Sequence, residues 1–304
     1  MKPSAFEYHA PSSVGEAVAL LAELEDANAE AKVLAGGQSL IPVLAMRLAA
    51  FDHLVDIGRI AELKGVSGPG PGDAGQDGGY LDVGAGTTQA LIGSDPAVRA
   101  GAPLLARAVP LIAHFQVRNR GTIGGSVAHA DPSAESPAVV LALDAEIEAA
   151  SVRGTRRIPA ADFFLGVWST ALEPDELLTR ILVPVWGGRR GFAIREIARR
   201  HGDFAVAGAT ACVQLDDQDR IARCAVTLFG VGSTPIRAAA AEAGLVGAAA
   251  GDVNPEEAGR TALAELDGVP SDLHGTADYR RKVGAVMVAR ALTGALAEAR
   301  GESC

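Results

Sequence analysis

Ala35-Gly36-Gly37-Gln38-Ser39 and Thr122-Ile123-Gly124-Gly125-Ser126 are the two stretches on which the reading of this 304-residue chain turns. The first follows apolar Val33-Leu34 and precedes Leu40-Ile41; the second follows basic Gln116-Val117-Arg118-Asn119-Arg120. Glycine has no Cβ, so its N–H can approach an oxyanion closely and its φ can be positive. Successive N–H groups in such a turn form an anion-binding nest. Either pair alone reads as ordinary strand–turn punctuation. Together, two nests far apart in sequence can close on one diphosphate, which points to a dinucleotide cofactor held between two lobes. Gln38, Ser39, Thr122 and Ser126 add side-chain donors. Glu135, a little further on, can accept from ribose or ribityl hydroxyls; the plain alternative is an exposed loop carboxylate. His129 is a candidate ligand contact, with loop packing as its alternative.

Working outward, Ser13-Val14-Gly15-Glu16 fits a capping box, and Val14, Ala17, Val18, Leu21 and Leu24 recur at helical spacing, which predicts a helix over 13–25. Strands are predicted over 32–35 and 53–57, with a short helix over 42–48 between them. A Gly/Pro/Asp-rich stretch over 67–79 reads as a solvated loop or hairpin tip, and 80–84 alternates like a strand. A helix is predicted over 103–113 and further strands over 145–149 and 181–183. Later, the runs 205–215 and 221–231 flank the polar turn Asp216-Asp217-Gln218-Asp219-Arg220 as a hairpin. The alanine-rich stretch from 237 is helical, and 276–300 is the longest helical candidate, with Val283, Val286, Met287, Arg290 and Ala291 near one face. The domain boundary is expected near 174–184.

Composition narrows the function classes. Hydrophobic residues are 48% and charged residues 21%, enough apolar side chain for a sizeable core. The formal charge is 27 − 37 = −10, so nucleic acid is a poor partner. Cys212, Cys224 and Cys304 have no CxxC spacing, which suits neither zinc nor an iron–sulfur cluster and suggests free thiols in a reducing cytoplasm. The six histidines show no metal-ligand spacing, so no metal site is expected. No signal core and no membrane-length apolar run is seen. GxxxxGK[ST], HExxH and GxSxG are absent, and Gly84-Ala85-Gly86 lacks the third glycine of the dinucleotide fingerprint.

Four segments carry a family resemblance: 32–42 (KVLAGGQSLIP), 116–137 (QVRNRGTIGGSVAHADPSAESP), 162–184 (DFFLGVWSTALEPDELLTRILVP) and 192–208 (FAIREIARRHGDFAVAG), with 274–281 (HGTADYRR) as a fifth. They resemble the FAD-binding medium subunit of the molybdenum hydroxylases, the xanthine dehydrogenase and carbon monoxide dehydrogenase family. The resemblance implies an α+β fold: a vanillyl-alcohol-oxidase-like FAD domain over 1–176, in subdomains of about 1–57 and 58–176, then a C-terminal domain over 177–304 with an antiparallel sheet and helices. It implies FAD diphosphate binding at Ala35, Gly36, Gly37, Gln38 and Ser39 and at Thr122, Ile123, Gly124, Gly125 and Ser126, with Leu34 and Leu40 as further cofactor-binding residues. Glu135 matches the acidic position that contacts the flavin's sugar-alcohol region. Ile194 matches a position beside the isoalloxazine ring, where carbon monoxide dehydrogenases tend to carry Tyr; this departure argues against carbon monoxide as substrate. Arg195 falls where xanthine dehydrogenases carry Lys near the flavin; solvent exposure is its alternative.

The resemblance further implies partners: a small subunit with 2Fe–2S clusters and a large molybdopterin subunit, in a dimer of heterotrimers. Electrons would pass to NAD, a quinone or another acceptor, and no catalytic residue is expected on this chain. Two other readings stand beside it: a self-contained flavin oxidase of the vanillyl-alcohol-oxidase type, and a flavin-free structural or assembly subunit.

Overall fold

The computed structural model describes residues 2–68, 79–264 and 266–302. Most of the expected loop over 67–79, and Cys304, lie outside those residues.

The first lobe is built from β1 (Glu7–His9), α1 (Val14–Asp26), β2 (Ala31–Leu34), α2 (Leu40–Ala45) and β3 (His53–Asp56). Its three strands run parallel in the order β1-β3-β2. The Ser13 hydroxyl caps α1 by accepting from the Glu16 N–H at 3.1 Å. The return bond of the expected capping box is displaced by one residue, because the Glu16 carboxylate accepts from the Ser12 N–H at 2.7 Å. Ala17, Val18, Leu21 and Leu24 are buried, as the periodicity predicts, against Val55 and Ile57.

The second lobe comprises β4 (Val66–Ser67), β5 (Tyr80–Gly84), α3 (Gln89–Ser94), α4 (Pro96–Gly101), α5 (Pro103–Ala108), α6 (Phe115–Arg118), α7 (Ile123–His129), α8 (Glu135–Ala142), β6 (Glu146–Ser151), β7 (Gly154–Pro159), α9 (Ala160–Phe163), β8 (Phe164–Gly166), β9 (Ser169–Thr170) and β10 (Leu177–Pro184). Five strands form an antiparallel sheet in the order β4-β5-β10-β6-β7. The helix expected over 103–113 stops at Ala108, since Pro110 has no N–H to continue the ladder. The division expected at residue 177 would cut off β10 at its first residue. β10 pairs with both β5 and β6 in the middle of this sheet, so hydrogen bonding keeps it with the first half of the chain.

The last part holds β11 (Arg189–Ile197), β12 (Ala207–Leu215), β13 (Ile221–Phe229), β14 (Ile236–Arg237), α10 (Ala239–Leu245), α11 (Pro255–Ala264) and α12 (Ala277–Ala299). Its antiparallel sheet has the order β11-β12-β13-β14, and the expected hairpin is the β12–β13 pair. One face, carrying Phe192, Ile194, Cys212 and Phe229, joins the core of the second lobe. The other, carrying Ala193, Ala209, Ala211 and Val226, packs with Val288, Ala291 and Leu292 of α12. Burial on both faces explains why these strands read as continuous apolar runs. The buried stripe of α12 is Gly284, Met287, Val288, Ala291, Leu292, Ala295 and Leu296, which turns Val286 and Arg290 outward, contrary to the expected face.

Arg280, near the start of α12, is 3% exposed. Its guanidinium donates to the carbonyls of Val206 and Gly230 and to both carboxylate oxygens of Asp272. It ties the chain between β11 and β12 to the end of β13 and the entry to α12. Arg280→Met is expected to cost about 2–4 kcal/mol, because buried carbonyls lose charged donors. A urea melt with a lowered midpoint and an unchanged slope checks this; an unchanged midpoint would rule the role out.

Candidate functional site

The two glycine turns, separated by more than eighty residues of chain, meet in space. A Cβ added to Gly36 would lie 2.2 Å from the Arg120 carbonyl oxygen and 2.8 Å from Gly121 Cα. One added to Gly125 would lie 3.3 Å from the Ala35 Cβ and 2.8 Å from the Thr122 Oγ1. The first turn therefore crosses backbone against the entry to the second, and only glycine allows that approach.

The turns are unequal as donors. Gly37 has φ +71°, the left-handed region that favours glycine. Among the described residues, no protein acceptor receives the N–H groups of Gly36, Gly37, Gln38 or Ser39. The Gln38 side chain folds back to donate to the Gly36 carbonyl at 3.0 Å. In the second turn the N–H groups are engaged. Ile123 donates to the Thr87 carbonyl at 3.0 Å and Gly124 to the Ala85 carbonyl at 2.9 Å. Gly125 donates to Thr122 Oγ1 at 3.1 Å, the cap of α7. A Cβ on Gly124 would sit 2.7 Å from the Ala85 Cα. The expectation of four glycine N–H groups aimed at one diphosphate is thus corrected. Gly36 and Gly37 offer theirs; Gly124 is glycine because it lies on the Ala85 backbone, and its N–H is committed there. A cradle with open N–H groups and a positive-φ glycine fits a diphosphate.

Glu135 is no exposed loop carboxylate. It opens α8 and is 7% exposed. Burial, then the charge of Glu196, pushes its carboxyl up to about 8. Glu196 is itself pushed up to about 7 by burial alone, and its Oε2 has no partner among the described residues. The asymmetry is physical: Glu196 ionises first, facing a neutral Glu135, and its charge then opposes the second ionisation. Glu196 is a polar site residue that the sequence reading missed; its place at two residues from Ile194 on one strand face was the available signal.

Ile194 is 5% exposed and lies in the seam between the two halves. Arg195, the next residue on β11, points to the opposite face. Its guanidinium lies near Gly294 of α12, donates to the Ile194 carbonyl at 2.9 Å, and is exposed. Strand alternation thus separates the two side chains expected beside one ring, and Arg195 takes the surface reading.

His129 ends α7, stacks on Trp168 with ring centroids 5.8 Å apart, and has its pKa lowered by burial. The Trp168 N–H donates to the Ala130 carbonyl at 3.3 Å and its indole N–H to Asp131 at 3.5 Å. Trp168 is a second residue missed; β8 and β9 hold it beside His129, and nothing in local spacing links the two. An open cleft of about 380 Å³ lies between His114, Phe115, Gln116 and Arg118, leading to the second turn, and His201, in the chain between β11 and β12.

The first half of this architecture is that of a flavin carrier. Residues 4–186 match the FAD binding domain in molybdopterin dehydrogenase, and residues 192–295 match the CO dehydrogenase flavoprotein C-terminal domain. The chain is 40% identical over 300 residues to the 6-hydroxypseudooxynicotine dehydrogenase complex subunit alpha of Paenarthrobacter nicotinovorans, covering 99% of this chain and 97% of that one. It is 40% identical over 297 residues to the carbon monoxide dehydrogenase medium chain of Hydrogenophaga pseudoflava, covering 98% and 99%. The solved carbon monoxide dehydrogenase from that organism superposes with a TM-score of 0.89 at 41% identity, over 98% of this chain and 99% of the other. Quinoline 2-oxidoreductase from Pseudomonas putida 86 does so with a TM-score of 0.87 at 35% identity, over 99% of each. The chain belongs to the family of FAD-binding medium subunits of molybdenum hydroxylases, and it is an oxidoreductase subunit. Among the described residues no helix is long and apolar enough to cross a membrane.

Proposed function

We propose that this chain is the electron-transfer subunit of a molybdenum hydroxylase, passing electrons from 2Fe–2S clusters on a small partner to an external acceptor such as NAD or a quinone. The observation that carries the reading is the crossing of the two glycine turns, with the Gly36–Ser39 N–H groups left open. Bound FAD would supply a carrier that exchanges electrons singly or in pairs. The protein's share is binding, orientation and electrostatics. Gly36, Gly37, Gln38 and Ser39 would hold the diphosphate, with Leu34 and Leu40 flanking the turn. Thr122 and Ser126 would add hydroxyls at the start of α7. Glu135 would hydrogen-bond the sugar-alcohol chain, and Ile194 would close the apolar side.

Partners are supported by an apolar surface beside the site. Leu165, Val167 and Trp168 on the β8–β9 hairpin are 64%, 54% and 56% exposed. Such a cluster suits a protein contact. We assign that contact to the complex of a small 2Fe–2S subunit and a large molybdopterin subunit, paired as two heterotrimers. The buried free thiols of Cys212 and Cys224 support a cytoplasmic setting.

Expressed alone, the chain is expected to carry close to one FAD per protein, to be bleached by dithionite, and to hydroxylate no organic substrate. Expressed with its two partner subunits it is expected to co-purify with both. A stoichiometric iron–sulfur cluster or molybdenum on the isolated chain, or substrate turnover by it, would overturn the assignment.

A further inference from the structure

Three chemistry-bearing side chains outside the flavin site gather on the first lobe. Glu7 and His9 are two apart on β1, so they share one sheet face. His53 on β3 stands in register with Glu7 and therefore shares that face. His9 Nε2 lies 3.0 Å from His53 Nδ1, and His53 Nδ1 lies 3.6 Å from Glu7 Oε2. All three donor atoms fall within 4.8 Å of one another. Sequence spacing could not show this, because His53 is brought in by the parallel β1–β3 pairing from 44 residues away.

We propose that Glu7, His9 and His53 form a binding site for one divalent transition-metal ion of the zinc class. Two imidazoles and a carboxylate are a donor set that zinc accepts, with a fourth position left for water. Metal–nitrogen bonds of ordinary length at a tetrahedral angle put two ligand atoms about 3.3 Å apart. The observed separations of 3.0 and 3.6 Å bracket that value, so an ion would enter with small side-chain movements. Imidazole donors favour zinc, copper or nickel over magnesium or calcium. The His53 side chain is 18% exposed, which limits competing water, whereas Glu7 at 75% leaves an entry path.

The consequence is mechanical. Among the described residues β1 is a three-residue edge strand that pairs with β3 alone, and β3 also pairs with β2, whose end enters the first glycine turn. A metal bridging β1 and β3 would clip this edge to the lobe that carries the diphosphate cradle.

The test uses tag-free, full-length protein with its flavin bound, stripped of metal and titrated with Zn²⁺ by calorimetry. The expected result is one strong site per chain and a raised thermal midpoint. Co²⁺ in its place should give the intense visible bands of a four-coordinate ion. His9→Gln, which keeps a hydrogen-bond acceptor for His53, should weaken Zn²⁺ binding at least tenfold with flavin content and circular dichroism unchanged. His53→Ala should do the same, and Glu7→Gln should have a smaller effect. No strong Zn²⁺ site in the wild type, or equal affinity in wild type and His9→Gln, would overturn the proposal and leave the two histidines as a hydrogen-bonded strand link.

Discussion

Gly36→Val is expected to yield a chain that retains less than a tenth of the wild-type FAD after purification. The Cβ alone would stand 2.2 Å from the Arg120 carbonyl oxygen and 2.8 Å from Gly121 Cα, both backbone atoms that cannot swing aside. The first turn must then lift off the second, and the open N–H groups of Gly36 to Ser39 are displaced with it. Gly37→Ala separates the contributions. Its Cβ would meet side-chain atoms, Ile41 Cγ1 at 3.1 Å and Leu34 Cδ1 at 3.3 Å, but φ is +71°, a conformation that costs an L residue about 1–2 kcal/mol. It should keep the far-ultraviolet spectrum and lose FAD affinity by about tenfold, the equivalent of that cost. Absorbance at about 450 nm against protein concentration reads both variants. Full flavin in a folded Gly36→Val protein would refute the cradle. If that variant does not fold, Gly37→Ala with undiminished affinity would refute it instead.

Much of the fold was legible because its signals are local. A glycine pair after an apolar strand, a Ser at a helix start and a 23-residue helix flanked by Thr276 and Arg300 are written in neighbouring residues. What was not legible depends on tertiary placement. The N–H of Gly124 looks available in sequence, and only the passage of Ala85 against it shows that it is engaged. Ile194 and Arg195 are adjacent letters on opposite sheet faces, so a strand cannot give both to one ring. Glu135 was read as a sugar-hydroxyl acceptor with an exposed loop carboxylate as the alternative, and nothing local showed that it is buried at the start of α8 beside Glu196 of β11. Val286 and Arg290 fit a helical face in isolation, but the sheet covers the neighbouring stripe of small residues, which lets α12 come close to β11 and β12.

The flavin-free chain should lose stability as pH rises from about 5 to 8, and Glu196→Gln should remove a large part of that loss. Burial raises the Glu196 carboxyl from 4.5 to about 7 and, with the Glu196 charge, the Glu135 carboxyl from 4.5 to about 8. Above pH 4.5 the unfolded chain releases these protons while the fold holds them, so the folded state binds more protons than the unfolded one. Stability therefore falls with pH, by about 1.4 kcal/mol per pH unit for each retained proton. The contribution is complete below the unfolded value. It is lost by pH 7 for Glu196 and by pH 8 for Glu135. Glutamine keeps the shape and removes the charge. Glu196→Gln should thus match wild type near pH 5, exceed it at pH 8, and bring Glu135 down from about 8 by deleting the charge that opposes its ionisation. Urea midpoints of the two proteins across that range, read as a difference, cancel the titrations they share. A difference that is flat with pH would mean that Glu196 is ionised or solvated in the fold. A slope of the predicted sign would mean that the seam between the two halves carries a protonated carboxyl at neutral pH, able to donate a hydrogen bond where an ionised Glu135 or Glu196 could only accept one.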